Sequence, residues 1–114
     1  MEDLTKSICH ILDERQANDI VVVNLRSLTT FADEFIICSG RSTSQVKALA
    51  NYVDQGMSEL GVEPVRMEGK PEGRWVVVDY GDVIVHIFHD ETRQLYALEQ
   101  LWSQGANVEH YSED

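Results

Sequence analysis

His86, His89 and Asp90 have the residue types of a metal site, since imidazole and carboxylate groups are common ligands of transition metals. Their spacing argues against a shared ion. If residues 83–89 form a strand, His86 and His89 differ by three positions and point to opposite faces of the sheet. We therefore expect structural roles for these side chains, and the sequence predicts neither a bound metal nor another cofactor.

The run Ser39-Gly40-Arg41-Ser42 joins a predicted strand to a predicted helix, where the helix N-terminus attracts anions. A phosphate-binding loop ordinarily has more glycines and a lysine. A nucleotidyltransferase also needs two adjacent metal-binding carboxylates, whereas the strands offer only Asp33, Glu34 and Asp79. A capped helix start is therefore favoured. A nucleotide-binding or nucleotidyltransferase-like enzyme that uses Gly40-Arg41-Ser42 is the alternative hypothesis. No segment is typical of a catalytic nucleophile.

The chain is strongly acidic, with 20 Asp and Glu against 9 Lys and Arg and a formal charge of −11 over 114 residues. Affinity for nucleic acid comes largely from Lys and Arg beside phosphates, so little direct nucleic-acid binding is expected. A basic protein is the better-matched partner, since opposite charges accelerate association.

The hydropathy of the chain and its two cysteines bear on the cellular compartment of the protein. No apolar run approaches the ~20 residues that span a bilayer, and the acidic N-terminus lacks a secretory signal, so we expect a cytoplasmic protein without a membrane partner. Cys9 and Cys38 are far apart in sequence and are expected to be buried thiols.

Apolar spacing predicts one α/β domain over residues 1–105 and a loose acidic tail over residues 106–114. The predicted order is α-β-β-α-β-β-β-α, which indicates a mixed five-stranded sheet flanked by helices. Ser42 caps the second helix and Gly61 ends it. Gly81-Asp82 forms a tight hairpin between two strands. Both faces of the strand at residues 83–89 are apolar, so both must be covered.

The last predicted helix begins at Asp90 and carries two stripes. Its apolar stripe, expected to face the sheet, comprises Leu95, Leu98 and Trp102. A second stripe comprises Arg93, Tyr96 and Gln100, with Glu99 beside Tyr96. Tyr and Arg are favoured anchors at protein interfaces. The same spacing equally fits a solvated face on which Arg93 pairs with Asp90 or Glu99.

Three segments carry a combined pattern that covers the chain from about Leu4 to Trp102. The first is Asp33-Glu34-Phe35-Ile36-Ile37-Cys38-Ser39-Gly40-Arg41-Ser42. The second joins Glu68-Gly69 to Trp75-Val76-Val77-Val78-Asp79-Tyr80-Gly81-Asp82. The third is Val85-His86-Ile87-Phe88, followed by Arg93, Tyr96, Leu98-Glu99 and Leu101-Trp102. Together they resemble the Iojap family of ribosomal silencing factors, without a clear departure from its pattern.

The resemblance implies a translational repressor that is not an enzyme. Proteins of this family bind protein fourteen of the large ribosomal subunit, on the face that meets the small subunit, and block subunit joining when nutrients are short. Family members also form homodimers. Their fold is a mixed sheet related to nucleotidyltransferases without the catalytic carboxylates, which agrees with the missing carboxylate pair in this chain.

The resemblance also suggests which side chains contact the ribosomal protein. The apolar anchors would be Trp75, Tyr80, Phe88 and Tyr96. The side chains that meet basic groups would be Asp79, Asp82 and Glu99. His86 and Arg93 would orient those groups by hydrogen bonding. Trp75 and Phe88 in particular fit a core role equally well, since large aromatic side chains dominate cores as well as interfaces.

Overall fold

The computed structural model describes residues 2–112, and their side chains from residue 4 onward. The helices are α1 (Glu2–Glu14), α2 (Thr43–Glu59), α3 (Asp90–Tyr96) and α4 (Leu98–Trp102). The strands are β1 (Asn18–Asn24), β2 (Glu34–Gly40), β3 (Arg66–Glu68), β4 (Trp75–Asp79), β5 (Val83–His89) and β6 (Val108–His110). No helix in this part of the chain is long and apolar enough to cross a membrane.

The strands form one mixed sheet in the order β3-β4-β5-β2-β1-β6. β2 and β5 are parallel neighbours, with Ile36 opposite Val85, and the other neighbouring pairs are antiparallel. The turn between β4 and β5 is tight, because Gly81 adopts a φ of +89° that glycine tolerates best. The predicted fold class and the predicted hairpin are confirmed.

The sheet has one strand more than the five that the sequence predicted. β6 comes from the segment that was expected to be loose, and it pairs antiparallel with β1, with Val22 opposite Glu109. The Asn107 amide supports it by donating to the Asn24 carbonyl at 3.1 Å. Three residues with a single apolar side chain are too few for periodicity to reveal a strand. Of the predicted tail, Glu113 and Asp114 lie outside the described residues.

The predicted ends of α2 are confirmed. The Ser42 hydroxyl accepts a hydrogen bond from the Gln45 amide at 3.0 Å, and Gly61 follows the last turn with a φ of +83°. Within the helix, a Cβ on Gly56 would lie 2.6 Å from Cδ1 of Ile11. Glycine at this position therefore lets α1 approach α2 closely, a reason that the sequence alone did not provide.

Apolar side chains are buried on both faces of the sheet, as the pattern of β5 predicted. One cluster packs beneath α1 and α2 and includes Leu12, Val53 and Val85. The other lies on the opposite face, beneath the loop after β1 and α4, and includes Phe35 and Phe88. The free thiols of Cys9 and Cys38 are buried, and burial raises the pKa of each to about 12. Both cysteines are thus buried thiols, as predicted.

The predicted last helix is divided in two. Ala97 adopts the left-handed conformation, with φ 47° and ψ 46°, which separates α3 from α4. The predicted apolar stripe is wrong in part, because Leu95 is 79% exposed while Arg93 is buried. A stripe counted at 3.6 residues per turn assumes a continuous helix, and the break at Ala97 changes the direction of every later side chain.

Candidate functional site

The side chains of Trp75, Phe88 and Tyr96 form a stack that runs from the core to the surface. Trp75 lies opposite Phe88 in the pairing of β4 with β5, and their rings stack with centroids 4.8 Å apart. The Tyr96 ring, carried by α3, lies 5.0 Å from the Trp75 ring. Phe88 is completely buried, whereas Tyr96 is 56% exposed. Trp75 therefore connects an exposed aromatic side chain to the rigid core.

A second aromatic group continues this surface. The Trp102 ring on α4 lies 5.8 Å from both Phe31 and Phe35. Phe31 is 55% exposed, whereas Phe35 is buried and lies 4.5 Å from the His86 ring. His86 in turn lies beside Trp75, so the two groups are continuous. We call the exposed and half-buried members of this surface, Phe31, Trp75, Tyr96 and Trp102, the aromatic face.

The buried side chain of His86 lies beneath the aromatic face and is hydrogen-bonded to Trp75. Its Nδ1 accepts a hydrogen bond from Nε1 of Trp75 at 3.1 Å, and its buried Nε2 has no hydrogen-bond partner within the described residues. Burial lowers the pKa of His86 to about 4, against the opposing effect of Asp79. The imidazole is therefore neutral near pH 7. Its geometry fixes the orientation of the Trp75 ring.

The predicted contact residues at the hairpin do not all lie on the side of the sheet that carries the aromatic face. Tyr80 packs against the cluster beneath α1 and α2, on the other face of the sheet, and burial raises the pKa of its hydroxyl. Asp79 lies on the same face of β4 as Trp75 and forms an ion pair with Arg66 at 3.4 Å. Asp82 is exposed at the turn. The predicted set is thus divided between the two faces and one edge.

Arg93 and Glu99 bind each other. The guanidinium donates from Nε and Nη2 to the two carboxylate oxygens at 3.0 and 2.9 Å. Its Nη1 donates to the Asn18 carbonyl and to the Ser39 hydroxyl, both at 3.2 Å. Of the two partners that spacing allowed for Arg93, the structure selects Glu99. The pair borders a cleft of about 730 Å³ and joins α3, α4, β1 and β2.

The turn at Ser39-Gly40-Arg41-Ser42 uses its polar groups internally. The Arg41 amide donates to the Gln45 side-chain oxygen at 2.7 Å, and the Ser42 hydroxyl caps α2. Ser39 is buried and receives the hydrogen bond from Arg93. Because these groups are already bonded, the turn has the arrangement of a helix cap, which the sequence favoured over a phosphate-binding loop.

The two histidines of β5 lie on opposite faces of the sheet, as predicted. His86 contacts Trp75, whereas Nε2 of His89 lies 3.2 Å from the Arg41 carbonyl oxygen. Among the side chains that the structure describes, no three of His, Cys, Asp or Glu are grouped closely enough to hold a metal ion.

Phe31 and Trp102 are members of the aromatic face that the sequence did not select. Trp102 was expected on an inner stripe, and Phe31 lies in a loop between β1 and β2. A large aromatic side chain within the polar run Thr29-Thr30-Phe31-Ala32-Asp33 was the available signal. Loops carry no periodicity, so only the tertiary structure places Phe31 against Trp102.

Comparison with known proteins identifies similar chains. The family model described as "Ribosomal silencing factor during starvation" matches residues 1–114. The Halalkalibacterium halodurans protein named "Ribosomal silencing factor RsfS" is 38% identical to this chain, over 95% of this chain and 92% of its own length. The protein of that name in Bacillus subtilis is 43% identical, over 79% of this chain and 76% of its own length.

A more distant relative and a solved structure extend this likeness. The Mus musculus protein named "Mitochondrial assembly of ribosomal large subunit protein 1" is 33% identical, over 82% of this chain and 42% of its own length. A crystal structure from Chromobacterium violaceum superposes with a TM-score of 0.86 at 38% identity, and the match covers 89% of this chain and 84% of that one.

Proposed function

Because the chain belongs to the family of ribosomal silencing factors, we propose that it binds the large ribosomal subunit and blocks its association with the small subunit. The family indicates a regulator of translation without enzymatic activity. The proposed partner on the subunit is ribosomal protein fourteen, the proposed condition is nutrient limitation, and the proposed compartment is the cytoplasm.

The aromatic face is the observation that carries this proposal. Tyr96 and Phe31 are more than half exposed, and each contacts a partly buried tryptophan that packs on the core. Rigid aromatic side chains of this kind contribute most of the binding energy at many interfaces. α3 and α4 also expose Leu95 and Leu101, at 79% and 75%. Such a surface is unusual on a protein that has no partner.

The charge of the chain supports a basic protein as the partner. A formal charge of −11 favours encounter with ribosomal proteins, which are commonly basic, through long-range attraction. Asp79 is the carboxylate that lies on the same face of β4 as Trp75. In the proposed complex, the aromatic face supplies the apolar contact and carboxylates near its edge, with Asp82 at the turn, meet basic side chains.

The roles of the predicted contact residues follow from their burial. Trp75 and Tyr96 are proposed as direct contacts. His86 and Phe88, which are 7% and 0% exposed, are proposed to support Trp75 from beneath. Arg93 and Glu99 are proposed to hold α3 and α4 in place through their ion pair.

The proposed mechanism is steric. A bound protein of this size occupies the surface where the small subunit would dock, and competition requires no catalysis. Repression then depends on occupancy of the large subunit, so it follows the concentration of the factor relative to its dissociation constant.

Sedimentation of purified subunits tests the proposal. Under conditions that favour joining, the wild-type protein should sediment with the large subunit and reduce the fraction of joined ribosomes. Tyr96→Ala should weaken binding by about 30-fold, which corresponds to loss of an interface anchor worth ~2 kcal/mol.

Tyr52→Ala is the matched control. Tyr52 is a partly exposed tyrosine on α2, on the opposite side of the sheet, where its ring contacts Arg15. This variant should behave like the wild type. A wild-type protein that stays at the top of the gradient while subunits join normally would overturn the proposed function. A folded Tyr96→Ala variant with full affinity would remove Tyr96 from the contact surface.

A further inference from the structure

Eight of the nine basic side chains of this acidic protein fall into two groups, and the ninth, Lys6, is an exposed residue of α1. Arg26, Arg66 and Arg93 form ion pairs with carboxylates, and Arg15 lies over the Tyr52 ring at 3.8 Å. The second group comprises Arg41, Lys47, Lys70 and Arg74, and none of these four forms an ion pair with a described side chain, that is, within residues 4–112. We call this second group the basic corner.

The four members of the basic corner lie together. His89 links two of them, because its amide donates to the Arg74 carbonyl at 2.8 Å and its Nε2 lies 3.2 Å from the Arg41 carbonyl oxygen. The loop before β4 lies directly on Lys47, since a Cβ on Gly73 would be 2.8 Å from Cε of that lysine.

Lys70 belongs to the same loop and completes the group. Its ammonium donates to the side chain of Asn51, one helical turn after Lys47 on α2. Arg41 and Arg74 are exposed, and Lys47 and Lys70 are half-buried.

Two glycines fix the loop that carries Lys70 and Arg74. Gly69 has a φ of +90°, and a Cβ there would lie 2.0 Å from the Trp75 carbonyl oxygen. Gly73 has a φ of +71°, and a Cβ there would lie 2.9 Å from the Thr43 carbonyl oxygen. Because a Cβ would not fit at these positions, glycine lets the loop pass close to β4 and to the start of α2, which brings Lys70 and Arg74 next to Lys47.

Several unneutralised cations that lie together on a surface repel each other, and an anion relieves the repulsion. Carboxylates of the protein neutralise Arg26, Arg66 and Arg93 through ion pairs. Glu68 and Glu72 are the nearest acidic residues in sequence, each two positions from Lys70, and among the described side chains neither forms an ion pair with the corner. The surface therefore fits a ligand with several separate negative charges.

We propose that the basic corner binds backbone phosphates of ribosomal RNA beside the protein contact on the large subunit. This inference rests on the proposed function and extends it to a second partner. Arg74 and Trp75 line the same cleft, together with Gly69 and Glu72, so the basic corner borders the aromatic face at Trp75. Phosphates spaced along an RNA strand match cations spread over several elements. A ribosomal protein partner is expected to be basic and would not neutralise them.

This proposal differs from the expectation of little direct nucleic-acid binding. That expectation came from the net charge of −11, which averages over the whole surface. Phosphate contacts depend on the local arrangement of cations, and four of the nine basic residues lie in one corner.

The test compares two double variants of equal charge. R41Q/R74Q removes two arginines of the basic corner, and R15Q/R26Q removes two arginines elsewhere. Affinity for purified large subunits is measured from 0.05 to 0.5 M KCl. For R41Q/R74Q the slope of log affinity against log salt should fall in magnitude by about 1.5, so its loss of affinity relative to wild type should be roughly 30-fold larger at 0.05 M than at 0.5 M KCl. R15Q/R26Q should keep the wild-type slope, and R41K/R74K should restore it.

A second measurement distinguishes RNA from protein. With isolated ribosomal protein fourteen as the probe, R41Q/R74Q should bind as tightly as the wild type. If its affinity for that protein falls by the same factor as for the subunit, the corner contacts protein and the inference is overturned. An unchanged salt slope on the subunit also overturns it, while leaving the proposed function intact. A wild-type chain without affinity for the subunit would overturn both.

Discussion

At the scale of single residues, His86 shows how a polar side chain can support an apolar surface. It is 7% exposed and surrounded by the rings of Phe35, Trp75 and Phe88. A histidine in such a place must be neutral, since burying an imidazolium without a partner is costly. The neutral ring provides Nδ1 as the hydrogen-bond acceptor for Nε1 of Trp75, and an indole N–H needs such a partner when it is buried.

The lowered pKa of His86 predicts a specific dependence of stability on pH. Between about pH 6.5 and pH 4 the unfolded chain binds a proton at His86 that the folded chain does not, so acidification favours unfolding in this window. The stabilisation is fully present above pH 6.5 and is lost as the pH falls to about 4.

His86→Gln retains an acceptor for Trp75 and removes the titration. From pH 7 to pH 4, the wild type should lose up to about 3 kcal/mol more unfolding free energy than this variant. Urea denaturation at several pH values measures the unfolding free energy of the wild type and of the variant. Parallel stability curves for the two proteins would show that His86 can be protonated without disturbing the fold.

At the scale of elements, the junction of α3 and α4 determines whether the aromatic face exists. α3 carries Tyr96 and α4 carries Trp102, and both are short helices with little packing of their own. Arg93 holds them to the sheet through Glu99, Asn18 and Ser39. The left-handed turn at Ala97 brings Glu99 back toward Arg93, which a continuous helix would not do.

Arg93→Met should therefore lower the unfolding free energy by about 3 kcal/mol, because removal of one member of a largely buried ion pair leaves the other charge without a partner. The same variant should weaken binding to the large subunit, since α4 and Trp102 lose their attachment.

Arg26→Met is the control for this prediction. It breaks an ion pair whose arginine side chain is 49% exposed, so the loss should stay below about 1 kcal/mol. Thermal or urea unfolding compares the two variants. If the two variants lose equal unfolding free energy, the ion pair of Arg93 stabilises the fold no more than an exposed ion pair does.

At the scale of the whole molecule, the fold places different surfaces on its two sides. α1 and α2 cover one face of the sheet, and the other face carries the aromatic face with its short helices. The basic corner lies where the loop before β4 meets α2, next to Trp75. Partners of two kinds can therefore bind side by side, which fits a subunit made of protein and RNA.

The internal hydrogen bonds of the turn at Gly40 predict that the molecule does not bind nucleotides. ATP, GTP, CTP or UTP with Mg²⁺ should leave the melting temperature unchanged. A ligand present at ~100 times its dissociation constant would add ~2.7 kcal/mol, or roughly 10 °C for a domain of this size. A shift of that magnitude would revive the nucleotide hypothesis, and Arg41→Gln would then locate the site.

The sequence by itself determined most of the helices and strands, and the family. Strong local signals located β2, α2 and β5 almost to the residue, because the Ser42 cap, the Gly61 stop and the apolar pattern of residues 83–89 act over a few neighbouring positions. The combined motif from Asp33 to Trp102 identified the family, because the separate segments occur together.

The tertiary structure decided which side chains form a surface. Phe88 and Tyr96 were both predicted contacts, and a core role fitted Phe88 equally well. The structure buries Phe88 and exposes Tyr96, because β5 is central in the sheet and α3 lies at its surface. β6, the break at Ala97 and the basic corner all depend on contacts between residues far apart in the chain. The periodicity of a sequence reflects only residues that are close together in the chain. Features that depend on contacts between distant residues therefore become visible only in the folded structure.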